Sequence, residues 1–364
     1  MQTLDIQHTP LEEILQTTIA VLRAGGLVIF PTETTYGAGV DALNQAGVDK
    51  LLAYKSRREG KPLSIAVSDI EMAARYVDVN DAARALYERF LPGPVTVISH
   101  GKHLVASGVE SEFGTLGVRL PDYPLVIELV KRLGVPITAT SANGSGAKRP
   151  YAVTDIFADL SDKQHSLIDL VLDAGELPHN PPSTVIDTTL STPVVFRQGE
   201  IQIIEPTAVT TLQSASEEET RTIAQRLVLK HWNDVKEKGL IIGLNGSLGM
   251  GKTIFAKGVA QFLQISETIT SPTYSYIEEY DFVRHGVKGA FFHLDVWKVD
   301  SEAEAERLDL PRLLKPNHVI VIEWVSTIAS VVQNLLSTHG LPYIEVEFRD
   351  DDSDPSKRTL EIKE

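Results

Sequence analysis

Residues 240–253, LIIGLNGSLGMGKT, restrict the folding of their half of the chain more than any other stretch. The run LIIGL has the apolar character of a buried strand, and GSLGMGKT fits the spacing G-x-x-x-x-G-K-S/T. That spacing has a mechanical reason. Gly246, Gly249 and Gly251 let successive backbone N–H groups curl round a phosphate. Lys252 then reaches the terminal phosphates, the Thr253 hydroxyl takes a magnesium ion, and the helix from about Lys252 to Leu263 adds the positive end of its dipole. The motif predicts an α/β unit that binds a nucleoside triphosphate. Two apolar strands follow, AFFHLD at 290–295 and HVIVIEW at 318–324. Asp295 at the end of the first is the candidate second magnesium anchor. Glu323 near the end of the second is the candidate to polarise a water molecule, and is also a candidate magnesium ligand.

Length and charge set the remaining bounds. At 364 residues the chain has room for two domains. It has no cysteine, which excludes disulfides, thiolate metal sites and thiol nucleophiles. A net charge of -15 argues against broad non-specific binding of DNA or RNA, though not against a local basic groove. No run is apolar enough to cross a membrane, and MQTLDIQHTPLEEIL does not read as a signal peptide, so a cytoplasmic protein is expected.

The composition shifts at PTAVTTLQSASEEET, rich in Thr, Ser and Glu and poor in bulky apolar residues. It divides the sequence into a first domain at 1–206, a linker at 207–218 and a second domain at 219–364. The first domain begins with a helix whose Leu11, Ile14, Leu15, Thr18 and Leu22 share a face, with Thr9 and Glu12 at capping-box spacing and Pro10 at the first helical position. Helical patterns then alternate with short apolar strands, LVIF, SIAV, VTVIS, LGVRL and PITATS, which predicts an α/β domain around one sheet. The fold class overall is α/β in two domains.

One short loop of the first domain, KSRREGK at 55–61, gathers four cations: Lys55, Arg57, Arg58 and Lys61. Around it stand segments rich in hydroxyls, amides and arginine: PTETTYGAG (31–39), PGPVT (92–96), VRLP (118–121) with Arg119, TSANGSG (140–146), PSTVID (182–187) and Arg197 in FRQG. A cleft of this chemistry, without clustered carboxylates, suits a small polyanion such as a nucleoside triphosphate.

In the second domain GSLGMGKT, SPTYSYIEEY (271–280), HLDVWK (293–298) and IEW (322–324) occur in the order seen in the TsaE family, small ATPases of bacterial threonylcarbamoyladenosine synthesis in tRNA. The resemblance covers about 219–350 and implies a small P-loop NTPase-like α/β fold. It implies Lys252 and Thr253 on phosphates and Mg²⁺, Asp295 on Mg²⁺, Glu323 as the catalytic carboxylate, Trp324 near the nucleotide and Thr273 in a switch-like segment. The family loop usually carries Asp where this chain has Ser247, which implies slower turnover. The implied partners are TsaD and TsaB-like proteins, and tRNA only indirectly.

The first domain resembles the YrdC/TsaC family of threonylcarbamoyl-AMP synthases through PTETTYG, KSRREGKPL, PGPVT, VRLP, TSANGSG and PSTVID, across about 10–203. The resemblance implies a twisted mixed sheet with flanking helices. It implies a reaction of L-threonine, bicarbonate and ATP with Mg²⁺, giving threonylcarbamoyl-AMP and pyrophosphate. Lys55 and Arg57 would carry phosphate and carboxylate groups at the reacting centre, assisted by Lys61 and Arg119. Ser141, Asn143 and Ser183 would hold the nucleotide, with Arg197 near its phosphates. Thr32, Thr35 and Tyr36 would line the threonine pocket, Thr35 standing where the family commonly has Val. The implied whole is a bifunctional fusion of two steps of one pathway. The alternative is an RNA-binding module joined to a regulatory ATPase, against which stand 17 basic and 25 acidic residues in 1–205.

Overall fold

The computed structural model describes the chain except residues 56–62, 145–147, 159, 203–208, 273, 300, 352–353 and 355–356, and the side chain of 302. Arg57, Arg58, Lys61 and Thr273 therefore lie outside the described residues. The chain divides into two compact units, Met1–Thr189 with Pro193–Glu205, and Leu190–Thr192 with Pro206–Glu364.

The first unit is α/β, as its alternating patterns predict, but it is built on two sheets rather than one. A five-stranded sheet runs in the order Gln2–Asp5, Ile168–Asp173, Leu27–Phe30, Gly37–Gly39, Thr140–Ser141. A six-stranded sheet runs in the order Val194–Arg197, Thr184–Asp187, Val95–His100, Thr115–Arg119, Ser64–Ala66, Ile137–Thr138. The run PITATS accounts for the difference: Ile137–Thr138 pairs with Ser64–Ala66, while Thr140–Ser141 pairs with Gly37–Gly39. One apolar stretch thus serves both sheets, and a period-2 reading cannot see the changeover. Gly39 is required at this crossing, because a Cβ there would lie 2.3 Å from the Thr138 carbonyl oxygen. Leu15, Phe30, Val97, Val118 and Ile186 belong to one continuous apolar core.

The opening helix spans Leu11–Arg23 and buries Ile14, Leu15, Thr18 and Leu22. Leu11 is exposed instead, and the Thr9 capping box does not form: Pro10 is the N-cap, with no side-chain hydrogen bond. Glu12 turns outward to accept from Gln16 and Arg132.

The second unit is a seven-stranded sheet in the order Thr210–Ser214, Arg358–Lys363, Tyr343–Asp350, Leu240–Asn245, His318–Glu323, Val287–Asp295, Ile277–Arg284. Its four central neighbours, from Tyr343–Asp350 to Val287–Asp295, are parallel. The segment 207–218 is not wholly a linker. Thr210–Ser214 pairs antiparallel with Arg358–Lys363, and the Ser216 side chain caps the helix Glu217–Lys230. Leu212 and Ser214 alternate inward on that strand, a spacing that the polar composition of the segment masks.

Candidate active sites

In the first unit, polar side chains gather where strands end. Lys55 closes the helix Gln45–Lys55. Its ammonium donates to the backbone carbonyls of Ser141 (2.8 Å) and Asn143 (2.7 Å), and the Tyr54 hydroxyl donates to the carbonyl of Ala142 between them. Ser141 is exposed and Asn143 buried. Burial pushes the Lys55 ammonium down to about 8, since its partners are neutral carbonyls rather than a carboxylate.

A second group forms round Arg119, the last residue of Thr115–Arg119. Its guanidinium donates to Glu33 Oε1 at 2.7 Å, both side chains largely buried, and lies 3.4 Å from the Thr34 hydroxyl. Arg197 ends Val194–Arg197 and holds Ser183 from two sides, donating to its carbonyl at 3.0–3.1 Å and to its hydroxyl at 3.0 Å. Although much of Arg197 is open to solvent, protein enclosing its guanidinium and the cations Arg119 and Arg149 nearby bring it down to about 10. Two further guanidinium groups within electrostatic reach of Arg197 make its surroundings favour an anion.

Of the three residues implied for a threonine pocket, Thr32 and Tyr36 are buried and Thr35 is partly open. Thr32 is buried, and its hydroxyl donates to the Thr35 carbonyl at 2.7 Å, bracing the turn from within. Tyr36 is wholly enclosed; its hydroxyl donates to the Gly175 carbonyl and accepts from the Ala174 amide, each at 2.8 Å. Both brace the loop from within, and Thr35 alone of the three is partly open. Ser183 is also enclosed, so its hydroxyl serves Arg197 and Thr96. Sequence reading missed Glu33 and Arg149. Glu33 stands inside PTET, a stretch already singled out, and a lone buried cation such as Arg119 demands a carboxylate within reach.

In the second unit the loop glycines hold positive φ, 123° at Gly246, 80° at Gly249 and 105° at Gly251, as a turn of inward N–H groups requires. Lys252 is buried; its ammonium donates to the carbonyls of Gly246 (2.6 Å) and Ser247 (2.9 Å) and lies 3.7 Å from the centre of the Trp324 ring. Burial lowers its pKa, and Glu323, Asp295 and Glu347 oppose that shift. Thr253 donates its hydroxyl to Glu323 Oε1 at 2.9 Å. Asp295 and Glu323, both buried, are register partners on adjacent parallel strands, and Ser271 donates to Asp295 Oδ2 at 2.7 Å. Trp324 follows Glu323 in the left-handed region at φ 64°, which turns the chain sharply out of the strand. Tyr274, in SPTY, is 88% exposed, with the Lys298 ammonium 4.9 Å from its ring centre.

These residues suit magnesium. The Thr253 hydroxyl, Asp295 and Glu323 offer only hard oxygen donors. Among the described residues no three His, Cys, Asp or Glu side chains cluster as a metal cage. Magnesium does not need one: it is usually held by one or two carboxylates with phosphate oxygens and water completing its shell. His293 was quoted within HLDVWK but assigned nothing; in the structure its Nε2 lies 2.8 Å from Glu323 Oε1.

Comparison with known proteins bears on both units. The Sua5/YciO/YrdC family model, described as "Telomere recombination", matches residues 20–199. A Mus musculus protein named threonylcarbamoyl-AMP synthase is 32% identical over 200 residues, covering 53% of this chain and 67% of its own length. A Methanocaldococcus jannaschii relative is 37% identical over 179 residues, 49% of this chain and 82% of its own.

The chain belongs to the Sua5/YciO/YrdC family.

To that family domain it joins a second one, for residues 214–360 match the model of "Threonylcarbamoyl adenosine biosynthesis protein TsaE". The Bacillus subtilis threonylcarbamoyl-AMP synthase is 34% identical over 184 residues, and this chain spans about half of that relative, 52%. The structure of a Pyrococcus abyssi Sua5 double mutant matches with a TM-score of 0.52 at 21% identity, over 95% of this chain and 99% of that one, a likeness of fold. No helix among the described residues is long and apolar enough to cross a membrane.

Proposed function

We propose that this chain carries out two steps of tRNA threonylcarbamoyladenosine synthesis. The first unit converts L-threonine, bicarbonate and ATP into L-threonylcarbamoyl-AMP and pyrophosphate. The second is a magnesium-dependent ATPase that serves a TsaB–TsaD-type transferase. One observation carries the reading: a domain whose relatives are named threonylcarbamoyl-AMP synthases is continuous with a domain of the family named for threonylcarbamoyl adenosine biosynthesis.

The geometry supplies a role for each group. The threonine amine and bicarbonate yield a carbamate with loss of water, and a carbamate oxygen attacks the α-phosphate of ATP as pyrophosphate leaves. Charge builds on the departing oxygens, and fixed cations stabilise it without reorganising. Lys55, held on the Ser141–Asn143 carbonyls, and Arg119 with Arg197 are such cations; Arg57 and Lys61 are proposed to join them. Exposed Ser141 and partly open Thr35 are left to contact ligand, with Asn143 beside the Lys55 ammonium.

In the second unit Lys252 neutralises terminal phosphate charge, and the Gly246–Gly251 backbone amides bind the phosphates. Thr253, Asp295 and Glu323 would hold magnesium, which supplies positive charge at the phosphate oxygens. Glu323 accepts a proton from the attacking water, and the Trp324 ring packs on the Lys252 ammonium.

The two activities leave different products, pyrophosphate from the first and phosphate from the second. Full-length protein is incubated with ATP and magnesium, with or without L-threonine and bicarbonate, and analysed by mass spectrometry. A threonylcarbamoyl-AMP peak that requires bicarbonate is expected. Its absence from a folded, ATP-binding protein would remove the synthase reading.

A further inference from the structure

His293 is wholly buried in the strand Val287–Asp295, with its ring stacked 6.2 Å from that of Phe291. It stands two residues before Asp295, so the two side chains leave the same face of the sheet. Asp295 is the register partner of Glu323, which brings histidine, aspartate and glutamate to one face. The imidazole Nε2 lies 2.8 Å from Glu323 Oε1. With Glu323 as the carboxylate that takes a proton from water, it can only accept before that step, so the ring is the donor in this pair. The other ring nitrogen, Nδ1, is buried with no hydrogen-bond partner. Among the described residues no hydrogen bond on that side competes to turn the ring, and the hydrogen bond to Glu323 accounts for a histidine at this depth.

We propose that His293 is a positioning residue for Glu323: its Nε2–H fixes the carboxylate in the orientation that water activation needs. This rests on the reading of the second unit as an ATPase. Two donors meet on Glu323 Oε1, the Thr253 hydroxyl at 2.9 Å and His293 Nε2 at 2.8 Å. Both bonds fall on one oxygen, which sets the plane of the carboxylate and directs Oε2 away from them. Thr253 has a second duty, as the hydroxyl of the phosphate loop. His293 has none, because no ligand can reach a ring with no exposed surface. Its hydrogen bond is therefore the permanent one of the pair. Support of this kind from behind a catalytic carboxylate acts on the rate more than on ligand affinity.

The test uses the full chain with ATP and magnesium, without threonine or bicarbonate, and reads phosphate release. Nucleotide affinity is read separately with a fluorescent ATP analogue. H293F keeps a ring of similar volume but no donor; H293Q restores an N–H close to the place of Nε2. H293F is expected to lower kcat about 10–100-fold while ATP KM and analogue affinity stay within about 3-fold, and H293Q to recover most of the loss. A folded H293F with wild-type kcat overturns the proposal. So does H293Q failing as badly as H293F, which would reduce His293 to packing. Should both variants fail to fold, ¹⁵N spectra of the wild-type imidazole decide: a protonated Nε2 supports the proposal and a bare Nε2 rejects it. Phosphate release that survives K252A would remove the ATPase reading beneath the proposal, a result separate from any of these.

Discussion

Asp295 and Glu323 are directly opposed across the parallel pair Val287–Asp295 and His318–Glu323, and the Thr253 hydroxyl reaches Glu323 from the helix that follows the phosphate loop. Both would hold magnesium, but only Glu323 would also take the proton of the attacking water, so the two should fail differently. E323Q removes the proton acceptor as well as a metal ligand, so phosphate release should fall about 100-fold or more, beyond what any loss of ATP affinity explains. D295N removes a metal ligand alone, so its loss of phosphate release should follow the weakened magnesium dependence of nucleotide binding. Equal loss of phosphate release in both variants at saturating ATP and magnesium would reject this division of labour.

Lys252 and Lys55 serve different units. K252A is expected to abolish phosphate release and leave threonylcarbamoyl-AMP formation within about 2-fold of wild type, and K55A to do the reverse, because an ammonium fixed at developing phosphate charge is worth about 10²–10³ in rate. Mass spectrometry and a phosphate assay on the same samples check both. Loss of both activities in either variant would show the halves to be coupled.

The Lys55 ammonium, brought down to about 8 by burial, gives the synthase a pH limb. Below that value the group is charged and can stabilise pyrophosphate; above it the charge is lost. Synthase activity should fall as pH rises through about 8, and K55R should move the fall upward by more than about 2 units, because a guanidinium stays protonated. The stability term runs the opposite way. The folded pKa lies below that of the unfolded lysine, so the charged form burdens the fold at low pH, and that burden lifts between about 8 and the ordinary lysine value. An unshifted limb in K55R would assign the titration to another group.

Gly246 has φ 123°, and a Cβ there would meet the Phe348 carbonyl oxygen at 2.6 Å. Gly246→Ala should cost about 1–3 kcal/mol from the backbone conformation alone. A urea denaturation series should show that loss, together with weakened nucleotide binding. An unchanged midpoint would mean the loop relaxes freely.

Legibility differed between the two units. The phosphate loop was read completely, because its chemistry is local: strand, glycines, lysine and threonine are consecutive. Asp295 and Glu323 are legible as candidates, since strand ends carry ligands in such sheets. His293 was not, although its i, i+2 spacing from Asp295 puts it on the same face, because a buried histidine in an apolar strand reads as core. In the first unit the cations were conspicuous, but the direction of the hydroxyls was not. Thr32 and Tyr36 turn inward to brace the loop, a choice set by Asp173, Ala174 and Gly175 far along the chain. The strand Thr210–Ser214 was hidden for a similar reason: its polar composition suits a tether, and only its pairing with Arg358–Lys363 makes it structure.

That pairing also makes the second unit easy to transplant. Its outermost strands in sequence, Thr210–Ser214 and Arg358–Lys363, lie side by side at one rim of the sheet. A stretch of polypeptide with both portals at the same rim can be appended to an unrelated neighbour, or set between two, without threading anything through its interior. Gene joining of the sort this chain displays then asks little of the fold beyond a few residues of tether. The same rim would tolerate a relocated start and end, so a circularly permuted version opened in an exposed turn and closed across 210 and 362 should still form its sheet.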